Sequence, residues 1–404
     1  MAQDDCNADG YVNSIYTISI GSVNEHAVST YYGEKCSSTM AVTYCSGSHK
    51  YGFKNNRANV ITTYLHHQCT NHFVGTSSAA PLAAGMFALV LQANPKLTWR
   101  DLQYIVFQTA ELTSPLDLGW ETNGVGRRFN TKFGFGVLNA LKMVEKALNW
   151  TNVGKQHVCH FSLNIKNRDI PDNGALQIKI KTDGCQTCVQ KDKDANGTCK
   201  NAVTKLEHVS VTVTLKYRHR GDLSIKLYSP NNTMSKLLHR RSKDDSKNGL
   251  KSWSFMTVYN WGENPKGTWI LKFVDKEKPV IRKSSERKFH TDMEEVYIEM
   301  LDRQKRKSEL NDLTEKKAAQ NIKGDQESQD DAPREKYHIP DAEIYKRAFD
   351  EMREETPEAR DEMDDEDRYF RSRDKRSASE FSLDASPVAG VIEKISLTFY
   401  GTSN

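Results

Sequence analysis

Apolar positions along this chain of 404 residues change their period near residue 150 and thin out beyond residue 276. Before the change, Ile15, Tyr16, Ile18 and Ile20 make residues 14–19 β-rich and apolar enough for a buried strand, and residues 60–63 read the same way. Residues 78–94 are apolar on every side and carry Pro81 in the first turn, which predicts a helix buried in a domain interior and ended by Pro95. Thr98-Trp99-Arg100-Asp101 has the form of a capping box, ahead of a second helix with Leu102, Ile105 and Val106 on one face. A third helix is expected over residues 137–148. Residues 1–150 therefore read as mixed α/β.

After Trp150 the period becomes two. Leu176, Ile178 and Ile180 alternate with polar residues, then Val209, Val211, Val213 and Leu215, then Leu223, Ile225 and Leu227, then Trp269, Leu271 and Phe273. Gly, Asn, Asp and Pro cluster between these runs, which is the pattern of an all-β sandwich or barrel. From about 277 to about 389 Lys, Glu, Asp, Arg and Gln dominate, so the chain cannot bury enough surface to offset its entropy. Disorder is expected there, with transient helix around 293–323. Ile395, Leu397 and Phe399 then restore a strand, so the charged stretch reads as an insertion that replaces one loop of the sandwich.

Composition agrees with this division. Counted with Gly and without Tyr, apolar residues make up about 39% of the chain, below the roughly 45–50% of a typical soluble domain. The length suits two domains plus a disordered tract. Residues 324–367 hold eighteen acidic and six basic side chains, a local charge of −12 within a net +4. The basic remainder is scattered and forms no stripe interleaved with aromatics, which argues against nucleic acid as a partner. No run reaches the roughly 18–20 apolar residues of a membrane helix, the richest being 81–91, so no transmembrane segment is expected.

Eight cysteines suit a metalloprotein, a cytosolic enzyme or a secreted protein alike. Three glycosylation sequons, at Asn149, Asn196 and Asn231, shift the balance toward the secretory pathway. The first residues nonetheless have neither the basic region nor the apolar core of a signal peptide. A sequence truncated at its N-terminus accounts for both observations.

Chemistry concentrates at Gly75-Thr76-Ser77-Ser78-Ala79-Ala80-Pro81, where a hydroxyl stands at the mouth of the apolar helix between small neighbours. A helix N-terminus offers partial positive charge and a backbone amide to a developing oxyanion, so Ser77 has the setting of a nucleophile. A helix cap uses the same residue types. Residues 75–85 and Leu97-Thr98-Trp99-Arg100-Asp101-Leu102-Gln103 closely resemble the proprotein convertases, the kexin and furin branch of the subtilisin-like serine proteases. Asp9-Gly10-Tyr11, Cys36-Ser37-Ser38-Thr39, Asn123-Gly124-Val125-Gly126 and Phe133-Gly134-Phe135-Gly136 match in the same order. Leu206-Glu207-His208-Val209, Arg220-Gly221-Asp222-Leu223, Trp261-Gly262-Glu263-Asn264-Pro265 and Tyr400-Gly401-Thr402 are similar to the family's P domain. The wording is nearest to the neuroendocrine convertases.

The resemblance implies the C-terminal part of an α/β subtilisin-like catalytic domain over 1–150 and an all-β, jelly-roll-like P domain over 151–403, interrupted at about 277–389. It makes Ser77 the catalytic nucleophile of a calcium-dependent endopeptidase that cuts proproteins or prohormones after paired basic residues, in the secretory lumen or outside the cell. Asp9 matches the carboxylate of the primary specificity pocket, and Asp4 and Glu34 match two calcium ligands. The family's Asp, His and oxyanion Asn match no residue here, which is the expectation for an inactive, truncated chain. His26, His49, His66, His67 and His72 fit no catalytic motif. Cys6 with Cys36, and Cys159 with Cys185, match family disulfides; Cys69 matches a position whose partner lies upstream, and Cys45 has no assigned partner. Cys188 and Cys199 are extra and suit a local bridge, with a zinc site from Cys185, Cys188, Cys199 and His160 as the alternative by ligand type.

Two tetrads, Arg303-Gln304-Lys305-Arg306 and Arg373-Asp374-Lys375-Arg376, bracket the acidic tract and resemble convertase cleavage sites. Arg220-Gly221-Asp222 has the form of an integrin ligand but begins a strand within a family motif. The competing reading of the whole chain is a non-catalytic convertase remnant whose P domain binds or regulates partners.

Overall fold

The computed structural model describes residues 4–30, 32–45, 60–73, 75–163, 165, 167–194, 197–241, 243–276 and 388–403, with the His72 side chain outside this set. The charged tract, its 293–323 helix, both basic tetrads, His49 and Asn196 lie outside the described residues. The α/β part contains strands β1 (Ile20–Val23), β2 (Ala41–Tyr44), β3 (Val60–Tyr64), β4 (Gln68–Phe73), β5 (Glu121–Thr122) and β6 (Arg128–Phe129), and helices α1 (Ala79–Ala93), α2 (Trp99–Thr109) and α3 (Ala140–Leu148). β1 and β2 pair in parallel, Ile20 opposite Ala41 through Val23 opposite Tyr44.

Four sequence expectations need correction here. Residues 60–63 do form a strand, β3, but not a buried one, since Ile61 is exposed in the described structure. Residues 14–19 form turns, and the strand begins at Ile20: the Thr17 hydroxyl donates to the carbonyls of Tyr11 and Ser14, and Gln103 of α2 donates to those of Ile15 and Thr17. Backbone groups satisfied in this way have no need of a strand neighbour. The third helix begins at Ala140, because Val137 bridges to both Val42 and Glu111 and Asn139 accepts from the Lys142 amide as its N-cap. α1 is not buried all round. It packs through Ala79, Ala83 and Val90, while Leu82, Leu89 and Leu91 are exposed in the described structure. Residues 76–93 are long and apolar enough to meet the length and hydropathy criterion for a membrane span, yet α1 packs on β1, β2 and α3.

The all-β part is a two-sheet sandwich. Its strands are β7 (His157–Leu163), β8 (Arg168–Pro171), β9 (Ala175–Thr182), β10 (Lys205–Tyr217), β11 (Leu223–Tyr228), β12 (Met234–Leu238), β13 (Leu250–Thr257), β14 (Gly267–Asp275) and β15 (Val388–Thr402). One sheet runs β13-β10-β15-β7, with β8 also on β15, and the other β12-β11-β14-β9. Every pairing in both sheets is antiparallel. Inward positions carry the period-two residues: Val209, Val211, Val213, Leu223, Ile225, Trp269, Leu271, Phe273, Ile395, Leu397 and Phe399 are all fully buried in one cluster. Burying each such side chain is worth about 1.5–3 kcal/mol, which fixes the strand register.

A second cluster joins the two parts. Met40, Ala41, Leu102, Ile105, Val106, Phe129, Phe135 and Met143 from the α/β part pack with Met256, Val258, Tyr259 and Trp261 from the end of β13 and the loop after it. The Tyr259 ring stacks on Phe129 with centroids 4.4 Å apart, and Tyr104 meets Trp261 edge-on at 5.0 Å.

Candidate active site

The chain enters α1 through Gly75, whose φ of +114° is strained for any residue with a Cβ. A single 3-10 turn, Thr76–Ser78, follows and leads directly into the helix. The Ser78 hydroxyl folds back to donate to the Gly75 carbonyl at 2.9 Å, and Ser78 makes no side-chain cap bond. Ser77 is exposed, and its hydroxyl takes part in no hydrogen bond among the described residues. Neither serine caps the helix. The buried Thr43 hydroxyl of β2 donates to the Ala79 carbonyl at 2.8 Å, so the first turn of α1 is fastened to β2 near its carboxyl end. Ligands of open α/β sheets bind outside the carboxyl ends of the strands, and the helix N-terminus there favours developing negative charge. The hydroxyl of Ser77 thus stands in a setting suited to attack on a carbonyl and to stabilising the resulting oxyanion.

No described histidine bonds Ser77. His26 lies in the turn closed by Asn24, and His66 and His67 are exposed between β3 and β4.

Asp9 is exposed, and one carboxylate oxygen accepts from the amides of Tyr11 at 2.7 Å and Val12 at 3.1 Å. Those bonds fix the turn that presents it. Asp4 is exposed and lies 3.5 Å from the Arg241 guanidinium. The Glu34 carboxyl is held above its usual value, first by burial and then by the negative charges of Asp4, Asp5 and Asp9. Glu34 thus lies within electrostatic reach of Asp4, Asp5 and Asp9, and hard carboxylate oxygens are the donors that a divalent cation takes. Among the described residues no group of three or more metal-donor side chains converges.

The loop bearing these carboxylates is docked on the sandwich by Asn7 and Asp5, which the motif reading passed over. Asn7 is fully buried. Its amide nitrogen donates to Ser37 Oγ at 3.1 Å, to the Leu237 carbonyl at 3.0 Å and to the Met256 carbonyl at 2.9 Å, and its oxygen accepts from the Met256 amide at 3.0 Å. The buried Asp5 carboxylate accepts from both the backbone and the ring of His239, at 2.6 and 2.7 Å. Glu207 accepts from Arg100 through both of its oxygens, from Tyr104 at 3.1 Å and from Gln156 at 3.0 Å. Such a buried ion pair persists because its remaining lone pairs are also bonded. No local pattern marks Asn7, since its side-chain partners lie 30 to 249 residues away.

Sulfur bridges join Cys6 to Cys36, Cys159 to Cys185 and Cys188 to Cys199. The zinc alternative is thereby removed: its three thiols are in disulfides, and His160 bonds Thr398 and Ser162. Cys45 is buried and Cys69 exposed, and neither is in a disulfide among the described residues. Arg220 pairs with Asp244, and Asp222 pairs with Arg240, which sequesters both ends of the Arg-Gly-Asp tripeptide. Asn149 caps the end of α3 and is exposed, as is Asn231, while the sequon hydroxyl of Thr233 is buried against Glu263.

Residues 3–136 match the subtilase family model, and residues 206–282 match that of the proprotein convertase P-domain. The chain belongs to the proprotein convertases. It is 50% identical over 275 residues to PC3-like endoprotease variant B of Hydra vulgaris, covering 68% of this chain and 37% of that protein. To furin of Mus musculus it is 43% identical over 269 residues, covering 67% and 32%. This convertase chain thus spans about a third of the length of these relatives. In fold it is similar to a serine protease of Aeromonas sobria, with a TM-score of 0.56 at 20% identity over 68% of this chain and 53% of that one. The convertases are subtilisin-like serine endopeptidases, and this chain carries a part of the subtilase fold that includes α1 and α2, joined to the P domain.

Proposed function

We propose that this convertase chain is part of a calcium-dependent serine endopeptidase of the secretory lumen that processes proproteins or prohormones after paired basic residues. The observation that supports this most strongly is the exposed Ser77 hydroxyl, free of any cap bond, at the N-terminus of α1, two residues after Gly75 with its positive φ. In this reading Ser77 attacks the scissile carbonyl and the amides of the first turn help hold the oxyanion. Asp9 pairs with the guanidinium or ammonium of the residue before the cut. Asp4 and Glu34 would contribute two oxygen ligands to calcium, which would offset their mutual repulsion and hold the Asp4–Asp9 loop in place. Cys6–Cys36 ties that loop down covalently.

A serine hydroxyl needs a base to take its proton, and no residue of this chain is assigned that role. Residues 1–404 alone are therefore expected to remain unlabelled by a fluorophosphonate probe, read by fluorescence after gel separation. A longer protein that also supplies Asp, His and Asn is expected to label, with Ser77→Ala abolishing the signal. Labelling that survives Ser77→Ala would remove Ser77 from the mechanism. A longer protein that never labels would favour the second reading, a non-catalytic convertase remnant, for which the absence of a base beside Ser77 among the described residues speaks.

A further inference from the structure

The final strand enters the sandwich as an interior element, although it is reached only through the 111 residues 277–387. β15 pairs with β10 from Lys205 opposite Thr402 to Tyr217 opposite Gly390, and on its other edge with β7 from Ile395 opposite Leu163 to Gly401 opposite His157. Its first residues also pair with β8, Val388 opposite Pro171 and Ile392 opposite Arg168. Ile392, Ile395, Leu397 and Phe399 point into the core with no exposed surface. Removing β15 would leave β10 and β7 with an unpaired edge each and would open the cluster between the sheets.

The positions where the chain leaves and re-enters the sandwich are held without the connection. At the exit, the Asp275 amide donates to the Gly174 carbonyl at 2.9 Å, and its carboxylate accepts from the Tyr217 hydroxyl and from the Asn173 amide at 2.8 Å. At re-entry, the Arg218 amide donates to the Ala389 carbonyl at 3.1 Å, and Gly390 lies so close to the Tyr217 ring that a Cβ would meet it at 2.2 Å. The two ends flank the turn at 171–174, which a connection of about five residues would span at the extended reach of the chain. A 111-residue connection brings such ends together roughly a hundredfold less well, since closure falls as the −3/2 power of length. No cysteine follows Cys199, so no disulfide fastens β15.

We propose that the slot between β10 and β7 is a strand-binding site that holds residues 388–402 by pairing and burial alone. A cut within the connection then yields a two-chain protein with its sandwich intact. The partner recognised is the protein's own C-terminal segment, supplied as a separate peptide. The Arg303–Arg306 and Arg373–Arg376 tetrads offer an endoprotease that reads basic residues a place to make that cut.

The test is to express residues 1–376 and 377–404 together from two reading frames, with an affinity tag on the first piece and the single chain as reference. The expected result is copurification in a 1:1 ratio, elution at the volume of the 45.9 kDa single chain, and separation only in denaturant. Amide hydrogen exchange in β15 should match that of the single chain. Leu397→Arg in the short piece is expected to lower its recovery at least tenfold, whereas Lys394→Gln, on the exposed side, should not. Failure of the short piece to copurify, or insolubility of the long piece despite its presence, overturns the proposal. Equal recovery of Leu397→Arg overturns it as well, because binding would then not use the slot.

Discussion

At the scale of single residues the seam between the α/β part and the sandwich holds a titrating group with a definite sign. His208 is fully buried, its ring edge-on to Trp261 at 5.2 Å, and its Nδ1 has no partner among the described residues. Burial first, and the positive charge of Arg100 second, push its pKa down to about 3. An unfolded histidine titrates near 6.5, so the neutral ring contributes stability that is complete above that pH and is lost as pH falls toward 3. Within that window the unfolded chain binds the extra proton, and the loss approaches about 1.4 kcal/mol per pH unit. Urea unfolding of His208→Gln is expected to show a flatter decline between pH 6.5 and 3 than the parent chain. Parallel slopes for the two would show that His208 does not carry this dependence.

Elements follow local rules where their ends are local. α2 begins with the capping box read from the sequence: Thr98 Oγ1 accepts from the Asp101 amide, and Asp101 accepts from the Thr98 amide at 2.7 Å. Asp101 also accepts from the Trp150 indole and the Val153 amide, both at 2.8 Å, which ties the helix start to the chain that leads into the sandwich. Thr98→Ala is expected to cost about 1 kcal/mol, measured as a lower denaturant midpoint at unchanged slope; no change in midpoint would mean that the Asp101 bonds suffice alone. The same locality explains what was legible. Caps, prolines and the period-two alternation placed α2, the end of α1 and the strands of the sandwich within a few residues. Residues 14–19 carry strand-forming side chains but have their backbone bonded by Thr17 and Gln103, an arrangement that no periodicity encodes. For α1, apolarity marked a helix but could not say which faces meet a neighbour, and Leu82, Leu89 and Leu91 meet solvent here. The place of Ser77 at the mouth of the helix was legible from the pattern around it, its role only from the family resemblance, whereas Asn7 acts through partners far along the chain.

Across the whole molecule, motifs that resemble the family in its two halves touch one another in pairs. The Leu97–Gln103 motif meets the Leu206–Val209 motif through Arg100 and Glu207. The Asn123–Gly126 motif meets the Trp261–Pro265 motif, where the Asn123 amide donates to the Tyr259 and Trp261 carbonyls and the Gly124 amide donates to Glu263 at 2.7 Å. Ser37, beside Cys36, donates to the Met256 carbonyl at 2.8 Å and accepts from the Val258 amide at 3.1 Å. The two parts consequently share a core, and neither is expected to be indifferent to the loss of the other. Residues 151–404 made alone keep every described strand of the sandwich but uncover Met256, Val258, Tyr259 and Trp261, and take Arg100 and Tyr104 away from Glu207. Aromatic side chains of this kind bury about 150–250 Å² each, and exposing them to water is the main cost of separating the parts. Thermal unfolding followed by circular dichroism is therefore expected to show β-rich signal in the isolated piece, with a midpoint well below that of residues 1–404 and a tendency to precipitate. Glu207→Gln should destabilise the full chain by about 3–5 kcal/mol, because the buried Arg100 loses its charged partner there, and change the isolated piece much less, because Arg100 is absent from it. An isolated piece as stable as the whole would mean that the seam is a contact between two independent domains and not a common core.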